Sequence, residues 1–80
     1  MNLYLIAQDE NSGYDTYDSA VVVAKDEVLA KAMHPSGDAK DWVTAWPTWA
    51  DNTEQVTVKL LGKAEAGLKE GVYCASFNAG

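Results

Sequence analysis

Eighty residues and 8.6 kDa suffice for one domain and not for two. Hydrophobic content of 48% with 2 Pro argues against disorder. No apolar run nears the ~18 residues of a membrane span, the opening residues lack the Lys or Arg of a secretory leader, and one Cys excludes an internal disulfide and fits a reducing compartment. The 12 acidic residues outweigh 6 basic ones, all Lys, for a formal charge of −6. Nucleic-acid binding draws on a basic stripe that neutralises phosphate, so direct DNA or RNA binding is not expected. An acidic surface serves solubility, or mimics nucleic acid in a partner's basic groove.

In chain order, residues 2–8 read as a first strand, with Leu3, Leu5 and Ala7 on one face and Tyr4 and Ile6 on the other. Asp9 to Gly13 is turn chemistry. Residues 17–24 hold the run Ala20-Val21-Val22-Val23-Ala24, which reads as a central strand buried on both faces. Asp26 is an expected N-cap for a short amphipathic helix over 27–33, with Val28, Leu29, Ala32 and Met33 on its inner side. Pro35 ends it and Gly37 reinforces the stop. Residues 36–54 read as irregular, with one helical turn led by Pro47 and ending near Asp51. Val56, Val58 and Leu60 alternate with Thr57 and Lys59 in a third strand that Gly62 closes or bulges. Residues 66–71 form a turn, 72–77 a last strand and 78–80 a tail.

The resulting order is β-β-α-loop-β-β. It predicts an α+β domain: a four-stranded, mainly antiparallel sheet with one short helix packed on one face. The first two strands can form a hairpin, and so can the last two. Strand order stays open.

Several residue groups carry possible chemistry. Asp9, Asn11, Gly13 and Asp15 resemble a calcium loop, but Gly13 falls at position five and Ala20 at position twelve, where ligands are required. No metal site is expected. Tyr14, Asp15, Tyr17 and Asp18 form matched pairs before the central strand. If that stretch is extended, Tyr14 and Asp18 share one face, and Asp15 and Tyr17 the other. Tyr can stack on a base, and Asp can accept from a ribose hydroxyl; a solvated strand entry is the plainer account. Trp42, Trp46 and Trp49 are spaced four and three residues apart. They lid the core, line a pocket or form a subunit interface. His34 either caps the preceding helix carbonyls or contacts a ligand. Cys74 in an apolar strand reads as a small buried hydrophobe; a Cys74–His34 nucleophile pair lacks any sign of a lowered thiol pKa. Ser76 and Asn78 either fray with the tail or offer hydrogen bonds at a pocket rim. No catalytic constellation and no cofactor are expected.

The chain resembles a set of short proteins encoded by tailed bacteriophages. The likeness rests on Leu3-Tyr4-Leu5-Ile6, on Gly13-Tyr14-Asp15-Thr16-Tyr17-Asp18-Ser19-Ala20-Val21-Val22, on His34-Pro35, on Leu61-Gly62 and on Ser76-Phe77-Asn78-Ala79-Gly80. It implies a phage product acting in the host bacterial cytoplasm. Short acidic phage proteins of this kind look like counter-defence factors that act by binding. The preferred expectation is a non-enzymatic sponge for a small nucleotide-derived immune signal, working as a homo-oligomer. Ligand contacts are expected from Tyr14, Asp15, Tyr17, Asp18, His34, Trp42, Trp46, Trp49, Ser76 and Asn78, with backbone amides near Gly13, or Lys25 and Lys31, meeting phosphate. The alternatives are an acidic inhibitor of a host defence protein and an accessory phage protein with no ligand.

Overall fold

The computed structural model describes residues 1–11, 13–43 and 48–78. Four strands form one antiparallel sheet: β1 (Asn2–Ala7), β2 (Thr16–Ala24), β3 (Thr57–Lys63) and β4 (Gly71–Asn78), with the helix α1 (Glu27–Lys31) between β2 and β3. The order across the sheet is β3-β1-β2-β4. The architecture is thus the expected α+β one, a four-stranded antiparallel sheet with a short helix on one face. No helix among the described residues is long and apolar enough to cross a membrane.

β1 and β2 form the expected hairpin, with Tyr4 opposite Val22 and Ile6 opposite Ala20. The last two strands do not pair with each other. β3 joins β1 and β4 joins β2, so they occupy opposite edges. Residues 64–70 cross the end of the sheet, and the Ala64 N–H anchors this crossing on the Met1 carbonyl at 3.1 Å. The reason lies in hydrophobicity. The apolar runs of β1 and β2 take the centre, where both edges are paired, and the more polar strands are left outside. Val22 and Val23, neighbours in sequence, are both fully buried, as expected of a central strand. On β3 the pairing slips between Leu60 and Gly62, which places a bulge at Leu61. Gly62 adopts φ 154°, a backbone conformation suited to glycine.

The helix is shorter than its sequence pattern, ending at Lys31. The Asp26 carboxylate caps it by accepting from the Leu29 N–H at 2.9 Å. Its inner face also differs. Val28, Leu29 and Ala32 are exposed, Met33 is half-buried, and Ala30 is the residue pressed onto the core. A small side chain lets a short helix approach the sheet closely, which larger residues at that position would prevent. The stretch read as irregular contains two 3-10 turns, Ala39–Trp42 and Thr53–Gln55, each capped by a side chain (Asp38 and Asn52). The expected turn led by Pro47 falls partly outside the described residues.

One core joins Tyr4, Ile6, Ala20, Val22, Ala24, Ala30, Trp49, Ala50 and Val56. A polar clamp closes its upper end. Buried Gln8 donates from Nε2 to the Asn11 carbonyl at 2.8 Å and to the Tyr17 carbonyl at 2.9 Å. Its Oε1 accepts from the Asn11 N–H at 2.9 Å. Asn11 in turn donates from Nδ2 to the Trp49 carbonyl at 2.6 Å. Gln8→Glu removes both donated bonds and sets a carboxylate against two carbonyls. We expect a loss of ~2 kcal/mol or more at neutral pH, read as a lower urea midpoint. The gap to wild type should narrow as pH falls through the carboxyl range, because protonation restores one donor.

Candidate ligand cleft at His34

His34 lies three residues beyond the last residue of α1, Lys31, and is only 2% exposed. Its Nδ1 lies 3.1 Å from the Ser36 N–H. A backbone N–H can only donate, so Nδ1 must be an acceptor and carries no proton. The neutral ring therefore holds its proton on Nε2, which faces Thr48 Oγ1 at 3.4 Å. Burial agrees with this state. Desolvation lowers the His34 pKa below the ordinary 6.5, and the nearby carboxylates of Asp41 and Asp38 only partly oppose it.

Aromatic rings fix the imidazole from two sides. Tyr17 meets it edge-on at 6.0 Å between centroids and 86°, and Trp42 at 5.8 Å and 87°. Tyr17 also packs on Phe77 at 4.7 Å. The Tyr17 N–H donates to the Thr48 carbonyl at 2.7 Å, which draws residue 48 over the same half of the sheet. The Trp42 indole donates from Nε1 to the Ala32 carbonyl at 2.9 Å. Trp42 thus satisfies the carbonyl at the helix end that sequence reasoning offered to His34. The indole reaches it because the 3-10 turn Ala39–Trp42 folds back along α1.

Beside this cluster lies a half-open cleft of about 240 Å³, between the turn after α1 and the start of β4. Met33, His34, Gly37, Ala39, Glu70 and Val72 line it, and Glu70 is its one charged residue. Of the aromatic cluster, His34 alone belongs to the lining. Its size falls short of the ~300–1,000 Å³ typical of sites that enclose a whole ligand, so it suits one ring or one sugar, with the remainder of a larger molecule outside.

The structure brings Tyr17, His34 and Trp42 together and distributes the other expected contacts elsewhere. Tyr14 is exposed on a turn. Asp15 has φ 61° and is not extended, so the expected sharing of faces does not arise. The Asp15 N–H donates to the Asn78 carbonyl, and Asn78 Nδ2 donates to the Gly13 carbonyl at 3.2 Å, tying that turn to the end of β4. Asp18 sits exposed at a register slip of β2 against β4. Ser76 pairs with Ser19 on the sheet face away from the helix. Trp49 is 1% exposed and belongs to the core. Its indole N–H is buried without an acceptor, a cost of ~1–3 kcal/mol. Burying ~200 Å² of ring at ~25 cal/mol/Å² contributes roughly 5 kcal/mol and outweighs it. Trp46 lies outside the described residues. Lys31 lines a separate groove beside β3, away from the cleft. Cys74 is exposed, not buried. It pairs with Val21 on the far face, so it cannot join His34 as a nucleophile pair.

Sequence reasoning missed Met33, Gly37, Glu70 and Val72 as neighbours. Each lies in a segment read as helix, turn or strand, and only the crossing to the opposite edge brings 70–72 beside 33–39. The chain matches no family model, no curated protein and no solved structure.

Because His34 is depressed in the folded state, the unfolded chain takes up the proton first. Stability should hold above pH ~6.5 and fall as pH drops from there toward the folded pKa. His34→Asn keeps an acceptor for the Ser36 N–H and removes the titration, so urea melts of this variant should lose that pH dependence. Trp49→Ala should cost ~3–5 kcal/mol in the same assay and leave little folded protein.

Proposed function

We propose that this protein is a non-enzymatic binding protein whose cleft holds the nucleoside portion of a small nucleotide-derived ligand. The observation that carries the reading is the composition of the cleft: apolar Met33 and Val72, with Glu70 as its one charged residue, beside the buried His34. A carboxylate accepts from ribose hydroxyls or an exocyclic amine, and the apolar side chains of Met33 and Val72 offer a seat to a planar base. With no lysine in the lining, phosphates of the ligand point outward to solvent. Ligands with few charges, such as ADP-ribose derivatives, fit this chemistry better than polyanionic cyclic oligonucleotides. Combined with the resemblance to short phage proteins, the reading is a counter-defence sponge in the host bacterial cytoplasm, acting as a homo-oligomer without a cofactor.

A second reading draws on the distribution of charge. Asp9, Glu10, Asp15, Asp18, Asp51 and Glu54 are all exposed around the β1–β2 turn and the loop tied to it by Asn11. No lysine accompanies them among the described residues. Such an end could dock on the basic groove of a host defence protein, and that complex would weaken steeply between ~0.05 and ~0.5 M salt.

A thermal-shift screen against adenosine, ADP-ribose and cyclic di- and trinucleotides tests the first reading. A ligand at ~100 times its Kd should stabilise by roughly 2.7 kcal/mol, or about 10 °C or more for a domain this size. Ala39→Trp, an exposed change at the cleft mouth, should abolish the shift without lowering the unliganded Tm. An equal shift in the variant would remove the ligand from this cleft.

A further inference from the structure

The seat of His34 accepts the neutral ring and rejects the charged one. Nδ1 accepts from the Ser36 N–H at 3.1 Å. In an imidazolium both nitrogens are donors. A charged ring in this seat therefore sets donor against donor at Ser36, and turning the ring over does not help, because the other nitrogen donates too. The seat is also dry. His34 is 2% exposed, and Tyr17 and Trp42 pack edge-on against it. Burying a charge and leaving a buried donor unpaired both cost stability. The facing groups inside the seat bring no carboxylate. Tyr17, from β2, brings a phenol, and Thr48 brings a hydroxyl 3.4 Å from Nε2. The nearby anions lie on the turn that follows: Asp38 caps it, Asp41 is part of it, and Lys40 is its one cation. Glu70 stands across the cleft, and Lys31 of α1 lines a separate groove.

We propose that His34 is a proton-operated latch on the cleft. The neutral ring holds residues 34–39 in place as one wall. The protonated ring leaves its seat for the Asp38 and Asp41 carboxylates, and this wall opens while the sheet stays folded. Three features make the movement local. Of the bonds that fix the turn, the one from the Ser36 N–H to the ring is broken by the proton; the Gly37 N–H bonds the His34 backbone carbonyl at 2.9 Å and is indifferent to it. Gly37, at φ 86°, sits where the chain has to bend. The buried core is built on residues such as Ile6, Val22 and Trp49, and none of residues 35–41 belongs to it. The direction follows from the protonation states. Burial favours the neutral ring, so the wall is shut at neutral pH and opens as pH falls below the ordinary histidine value of ~6.5. His34, Gly37 and Ala39 all line the cleft, so the same proton that moves the ring unmakes the cleft and releases what it holds.

The latch concerns the shape of the cleft and stands whether or not a nucleoside occupies it. The experiment is an NMR titration of the full chain from about pH 7.5 to about 4.5, with no nucleotide present. At the upper pH, cross-relaxation should link the His34 ring to the rings of Tyr17 and Trp42. These cross-peaks should fade in step with protonation of His34, and the Trp42 indole N–H should shift at the same midpoint, while the amides of Ile6 and Val22 stay fixed. His34→Asn keeps an acceptor for the Ser36 N–H and takes up no proton, so its Trp42 indole signal should be flat across the range. Asp41→Asn removes a carboxylate that receives the charge and should lower the midpoint by at least about 0.3 pH units, a twofold change in proton affinity. A ring that titrates with its Tyr17 and Trp42 cross-peaks intact would overturn the latch. So would no titration above about pH 4.5, or Val22 and Trp42 signals lost at one midpoint, which is unfolding of the whole domain. An unmoved midpoint in Asp41→Asn would overturn the pairing. Should a variant fail to fold, the wild-type titration decides by itself.

Discussion

A five-residue helix cannot cover a four-stranded sheet. At ~1.5 Å per residue α1 is under ~8 Å long, whereas four strands at ~4.8 Å spacing span roughly 14 Å. The rest of the covering layer has to come from the long connection between α1 and β3. Trp49 supplies the bulk, and the Asn11 amide fixes its backbone carbonyl against the β1–β2 turn. Gln8 in turn fixes Asn11. The order of dependence runs from the Gln8 clamp to Trp49, from Trp49 to a sealed core, and from there to the seat of His34 above the β2–β4 half of the sheet.

This covering layer is built unlike an ordinary helix layer. Ala30 is pressed onto the core, Val28 and Leu29 project into solvent, and Trp42 folds back to satisfy the Ala32 carbonyl. The cleft is a by-product of that economy. Where the chain turns at Gly37 and β4 begins at Gly71, neither segment has side-chain bulk to fill the space, and His34 is left at the boundary.

Much of the fold could be read in the sequence because its signals are local. The apolar run of β1, the alternation of β3, the Ala20–Ala24 run and the Asp26 cap each act within a few residues. The strand order could not, since placing β4 beside β2 depends on competition among all four strands for the centre. Cys74 shows the same limit. Its apolar neighbours suggest burial, yet an edge strand on an uncovered face leaves it exposed. At the site, Tyr17, His34 and Trp42 were legible as chemistry-bearing types. Glu70 and Val72 were not, because only the crossing at residues 64–70 makes them neighbours of His34. The Tyr14–Asp18 pattern carried a functional look but has structural work: its backbone turns through a left-handed residue and locks onto Asn78.

The placement of β3 and β4 on opposite edges also sets how the chain must fold. The β1–β2 hairpin closes a short loop, and its partners are available early. Val21 pairs with Cys74, so β4 docks only after a far longer loop is closed, and non-local pairing of this kind is slow. During synthesis the outer edge of β2 stays bare until the final strand has emerged from the ribosome. The strand that holds the Ala20–Ala24 run thus spends the longest time with one side unsatisfied, which makes that interval the one in which a nascent chain most needs shielding.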